Sequence, residues 1–158
     1  MDKTSPDRIK RAVELFNSGY NCAQAVCAAW ADCYGMSEEQ MLLVASSFGG
    51  GIGRMRKTCG AACGMFLLAG LETGTTDPKN HEQKGANYKV VQRLAAEFAA
   101  RNGALDCADL LSGKNVAVNK NPSPEARTPE YYKKRPCPQI VEEAARIWKD
   151  YLDGQLSD

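Results

Sequence analysis

Histidine is almost missing from this chain, with His81 the only one among 158 residues. A single imidazole excludes histidine-rich metal sites and a haem held between two histidines. His81 falls in the polar opening of a long helical segment, where exposure is expected, so a Cys–His nucleophile pair built on it fits poorly. An excess of charge is missing too. Twenty Lys and Arg stand against nineteen Asp and Glu, for a formal net charge of +1. That balance leaves no electrostatic footprint for nucleic acid and none for a membrane surface. No run approaches the roughly 20 apolar residues of a membrane span, and the Met-Asp-Lys-Thr-Ser-Pro start has no apolar core of a signal peptide. A cytoplasmic location is therefore expected. Sustained alternation of period two is absent, which argues against a sheet. The loop Gly49-Gly50-Gly51-Ile52-Gly53 lacks the third glycine of a dinucleotide turn, and no Lys-Ser/Thr follows it as in a phosphate loop.

What remains is a chain of ordinary composition, 44% hydrophobic and 25% charged, sized for one helical domain over residues 1–158. Ile9, Ala12, Val13 and Phe16 form one apolar stripe between the cap Ser5-Pro6 and the stop Gly19. Asn21-Cys22-Ala23-Gln24 and Ser37-Glu38-Glu39-Gln40 each read as a capping box, opening helices that run toward Gly35 and Gly49. A fourth helix begins at Thr58-Cys59 and ends near Gly74. Asp77-Pro78 opens the longest, with Tyr88, Val91, Leu94, Ala95 and Phe98 on one face and Gly103 as its stop. A short turn of helix spans 106–111. Residues 114–136 have little periodicity and are expected to form a long surface loop, a length that is uncommon without a task. Pro138 opens the last helix, with Val141, Ala144, Ala145, Trp148 and Tyr151 facing inward. The expectation is an all-α bundle of five to seven helices.

Seven cysteines exceed what packing alone explains, and an odd number cannot all pair within one chain. In a reducing compartment such an excess points to metal binding or thiol chemistry. Cys22, Cys59, Cys107 and Cys137 each fall at or beside the start of a predicted helix. A helix start presents unpaired N–H groups and about half a positive charge, favouring a thiolate by a few tenths to about 1 kcal/mol. Arg54, Arg56 and Lys57 precede Cys59, and Lys133, Lys134 and Arg135 precede Cys137, so cations can lower those thiols further. Cys27 and Cys33 read as packing residues. Cys63 lies one turn beyond Cys59 on the same side and can reach the same site.

These residues also carry a family resemblance. Gly19-Tyr20-Asn21-Cys22-Ala23-Gln24-Ala25-Val26, the glycine loop with Arg54-Met55, Cys59-Gly60-Ala61-Ala62-Cys63-Gly64, Cys107 before Leu110-Leu111, and Cys137 before Ile140-Val141 together resemble the C_GCAxxG_C_C family of redox-active proteins, over about residues 8–152. The resemblance maps the four signature cysteines onto Cys22, Cys59, Cys107 and Cys137. It implies redox activity beside a partner protein, an oxidoreductase or a transport system, and in related domains an association with iron–sulfur clusters. A homodimer is as compatible with the sequence as a monomer.

Four thiolates are the usual ligand set of an iron–sulfur cluster, and electron transfer through a cluster bound by the four is the leading expectation, with Cys63 within reach as a possible addition. Ferredoxin-type ligand runs and the C-x-x-C knuckle of structural zinc are absent, although zinc on the same four residues is chemically open. Metal-free thiol–disulfide exchange needs only a low-pKa attacking thiol and a resolving partner, for which Cys59 serves with any of the other three, Cys59 and Cys22 being the catalytic residues expected. A contrasting class is a non-enzymatic helical interaction protein whose cysteines merely pack. It requires the four to be scattered.

Overall fold

Side-chain caps and prolines start most of the helices in the computed structural model of the chain, which describes residues 2–156. Asn21 and Ser37 both close reciprocal capping boxes, with Gln24 and Gln40, as their sequences predict. The order of helices is α1 (Asp7–Asn17), α2 (Cys22–Ala28), α3 (Glu38–Ala45), α4 (Gly60–Thr73), α5 (His81–Asn102), α6 (Cys107–Ser112), α7 (Pro129–Lys134) and α8 (Cys137–Leu152). Short 3₁₀ turns over Ala31–Tyr34 and Ser46–Phe48 finish the runs after α2 and α3, so both helices stop before the glycines expected to end them.

The fold is all-α, and eight helices among the described residues exceed the five to seven expected. The added one is α7, within the segment read as loop. Thr128 caps it by accepting from the Tyr131 N–H at 3.2 Å, and Pro129 occupies its first turn. Six residues carry too few turns for a periodic stripe, so only the cap signals it. In α5 the buried stripe is Val90, Leu94 and Phe98, while Tyr88 faces solvent at 63% exposure. That face is turned from the one expected. The helix begins at His81 rather than near Asp77, because Asn80 caps it through the Gln83 N–H. His81 is exposed.

α2 lies at the centre, packed against α1, α3, α4 and α8. Its buried residues are nearly all small, namely Ala23, Ala25, Val26, Cys27 and Ala28. Small residues let backbones come close, and the Cys27 thiol donates to the Gly64 carbonyl of α4 at 3.3 Å. Trp148, Phe98, Trp30 and Leu94 fill the remaining centre, with no solvent exposure. The close contact of α2 with α4 sets the starts of the two helices side by side, which brings Cys22 to Cys59.

Candidate dithiol site

The glycine-rich segment between α3 and α4 turns the wrong way for most residues. Gly50, Gly51, Ile52, Gly53 and Arg54 all have φ between +57° and +72°, and Arg56 follows at +62°. A left-handed backbone costs a side-chain-bearing residue about 1–2 kcal/mol, and such strain persists only where surrounding contacts hold it. Here the Gly53 N–H donates to the Ser47 carbonyl at 2.7 Å and the Lys57 N–H to the Gly51 carbonyl at 2.9 Å. The turn aims the Gly50 N–H at the Cys22 sulfur and carries Arg54 and Arg56 to one cavity. Gly51 is required by space as well as by φ, since a Cβ there would meet the Cys107 Cβ at 2.6 Å.

A second device joins Cys59 to Cys107. Thr58 and Asp106 face one another in an isolated antiparallel bridge. On either side of it the Cys59 N–H donates to the Leu105 carbonyl at 2.9 Å and the Cys107 N–H to the Lys57 carbonyl at 2.6 Å. Two backbone hydrogen bonds thus register the starts of α4 and α6. Gly60, the first residue of α4, makes room for the Cys22 sulfur, which any Cβ at that position would strike.

Cys22, Cys59, Cys107 and Cys137 all line one cavity of about 440 Å³. Cys63 does not line it. Its thiol points to the Thr58 carbonyl at 3.8 Å. Cys27 is buried between α2 and α4, and Cys33 is half-buried on a 3₁₀ turn. Among the described residues no group of three or more His, Cys, Asp or Glu is gathered closely enough to hold a metal ion.

The family described as "Putative redox-active protein (C_GCAxxG_C_C)" matches residues 20–151. The chain belongs to this family. An uncharacterized protein of Archaeoglobus fulgidus is 29% identical over 153 residues, spanning 92% of this chain and 93% of its own length. No solved structure matches the chain.

In this C_GCAxxG_C_C chain the four thiols are electrostatically unequal. Cys22 alone among the seven is shifted down, first by a hydrogen bond from the Cys59 thiol and then by the N–H groups of Gly50, Ala23 and Cys22 itself, against the opposing effect of burial. Cys59 is shifted far up because its proton is held in that hydrogen bond and because it is buried. Burial pushes Cys137 up to about 12, and it raises Cys107 despite the Arg56 guanidinium, whose Nη1 lies 3.5 Å from that sulfur. A helix start therefore does not by itself make a thiolate. Its contribution of up to about 1 kcal/mol is smaller than the desolvation of a buried thiolate, and only Cys22 has enough donors to reverse the sign.

The charge runs also divide. Arg54, Arg56 and Arg135 line the cavity, whereas Lys57, Lys133 and Lys134 are exposed. Residues 114–136 form one wall through Pro122, Pro124, Glu125, Arg127, Tyr131 and Arg135. They are anchored by the Arg56 Nε donating to the Asn119 carbonyl at 2.9 Å and by Arg127 donating to the carbonyls of Phe16 and Tyr20. Tyr131 faces the cavity, while Tyr132 packs edge-on against Phe16 at 6.2 Å. Replacing residues 118–128 by a short Gly-Ser linker is expected to leave far-ultraviolet circular dichroism unchanged while speeding alkylation of Cys22 several-fold. An unaltered rate in the folded variant would remove any covering role for this wall.

Proposed function

We propose that this protein is a thiol–disulfide oxidoreductase in which Cys22 is the attacking thiolate and Cys59 the resolving thiol. The observation that carries the reading is that Cys22 and Cys59 line one substrate-sized cavity, with the Cys22 sulfur seated against Gly60, the residue after Cys59, and shifted toward its thiolate. Cys22 is half-buried and Cys59 buried, both on the same cavity. The thiolate attacks one sulfur of a substrate disulfide, forming a mixed disulfide with Cys22 and releasing the other half as a thiolate. Cys59 then gives up its proton and attacks the Cys22 sulfur, which frees the second half. The substrate disulfide gains two electrons and the Cys59 proton and becomes one thiol and one thiolate, which water protonates according to its pKa, and the protein dithiol becomes the Cys22–Cys59 disulfide. A dithiol partner protein restores it by the reverse exchange.

A second reading has its own observation, the four cysteines on one cavity. The donor set fits an iron–sulfur cluster in kind and number, with Cys22, Cys59, Cys107 and Cys137 as the residues that would hold it. Such a cluster would supply one-electron transfer, and Arg54, Arg56 and Arg135 would offset its negative charge. The pairing of Cys22 with Cys59, rather than a gathering of three sulfurs, favours exchange. The shared cavity also weighs against a purely packing role for the four.

Anaerobic purification followed by iron, sulfide and zinc counts separates these readings. The expected preparation is free of stoichiometric metal, and brief exposure to a small disulfide yields one Cys22–Cys59 cross-linked peptide by mass spectrometry. Stoichiometric iron and sulfide, lost when any of the four cysteines is changed, would establish the cluster instead.

A further inference from the structure

The cavity beside the dithiol is built for negative charge. Four arginines line it, Arg54, Arg56, Arg127 and Arg135, against one carboxylate, Glu125. This local excess stands out in a chain whose overall formal charge is only +1. Arg56 and Arg135 are 6% and 9% exposed, so their charges are desolvated rather than dispersed into water. Burying guanidinium groups is costly unless they are paired, and the one carboxylate cannot pair with all of them. Glu125 takes Arg135 at 2.7 Å and reaches Arg54 only at 3.7 Å. Arg127 is committed to backbone carbonyls, and its guanidinium lies 4.2 Å from the centre of the Phe16 ring.

Arg54 is left with the least. Its Nε and Nη2 are buried and make no hydrogen bond, although the segment carries the residue in on a strained, positive-φ backbone. Donors held in that way, on the wall of a cavity of about 440 Å³ next to the attacking sulfur, are arranged for an acceptor that arrives with the ligand.

We propose that the substrate of this site is a small dianionic disulfide, whose carboxylate or comparable oxyanion groups are received by Arg54 and the neighbouring arginines while its sulfur–sulfur bond meets Cys22. This rests on the thiol–disulfide reading above. The arginines bind and orient, and the electron and proton balance is that already given for exchange at Cys22 and Cys59. A thiolate at Cys22 attracts cations, so a preference for dianions is diagnostic of the arginines.

The test compares oxidation of the reduced protein by 3,3′-dithiodipropionate, a dianion, and by cystamine, a dication of similar size. It also measures binding of suberate, a sulfur-free dicarboxylate of matching length. The dianion is expected to react about tenfold faster at low ionic strength. Arg54→Gln should abolish most of that preference. Lys133→Gln, which removes one positive charge from an exposed site outside the cavity, should leave it intact. Equal rates for the two disulfides, or a faster dication, overturn the proposal while leaving thiol–disulfide chemistry standing. If neither disulfide oxidises the protein, the exchange reading falls. Suberate binding that weakens in Arg54→Gln and persists in Lys133→Gln then still supports the anion site, and absence of suberate binding overturns it. Arg54→Gln is checked for folding by circular dichroism, and the wild-type comparison decides the matter independently if that variant is unfolded.

Discussion

Cys22→Ser is expected to abolish the Cys22–Cys59 disulfide and to lower the initial rate of alkylation at pH 7 by about tenfold. The Cys22 value is lowered by the donors around the sulfur, so the pair has lost its first proton for the most part at neutral pH. An ordinary thiol at 9.0 is about 1% ionised there, and the other cysteines are shifted above that value. A lower pKa also weakens the nucleophile, which offsets part of the advantage in ionisation and leaves about tenfold. Iodoacetamide labelling followed by peptide mapping measures it. The wild-type rate should level off above about pH 7 rather than climb to pH 9, because the pair has already lost its first proton. A rate in Cys22→Ser equal to wild type would show that some other thiol reacts first.

Stability should rise between about pH 6 and pH 9, and Cys22 should be the cause. Its folded value is depressed to about 6 from 9.0. Across that window the unfolded chain keeps a proton that the folded chain has lost, so the slope of unfolding free energy with pH is positive. A depressed thiol contributes stability that is present in full above the unfolded value and lost as the pH falls through the folded one. Above pH 9 the sign reverses for the raised thiols, Cys59, Cys107 and Cys137, whose protons the unfolded chain releases first. Urea unfolding at pH 6, 7.5 and 9, compared between wild type and Cys22→Ser, isolates the contribution. The difference between the two proteins should widen with pH over this range. A constant difference would mean that no thiolate forms at Cys22 in the folded protein.

Much of the helical frame was legible because its signals are local. Asn21-Cys22-Ala23-Gln24 and Ser37-Glu38-Glu39-Gln40 specify their own capping boxes, and the stripe of α8 through Val141, Ala144 and Trp148 faces the core as its spacing demands. The misreadings lie where local signals are weak. α7 is too short for a stripe, and in α5 the apolar residues are spread widely enough that a stripe starting at Tyr88 and Val91 competes with the buried one that starts at Val90. Cys22, Cys59, Cys107 and Cys137 could be picked out by their positions at helix starts, because a helix start is itself a sequence feature.

Sequence alone determined an all-α chain and four cysteines with helix-start positions in common. Tertiary structure alone decided that they line one cavity, that the Cys22 sulfur sits against the start of α4 beside Cys59, and that Cys63 stays outside. Capping and periodicity act over a few residues of contiguous chain, so they can be read in order along it. The downward shift of Cys22 depends instead on Gly50, Cys59 and the absent side chain of Gly60, brought together by the packing of α2 on α4 and a left-handed turn. Arg56 likewise precedes Cys59 in the chain yet touches Cys107, because the bridge of Thr58 to Asp106 lays those segments side by side. Burial, which sets the sign of most of the thiol shifts, belongs to the packed chain as a whole and is written at no single position.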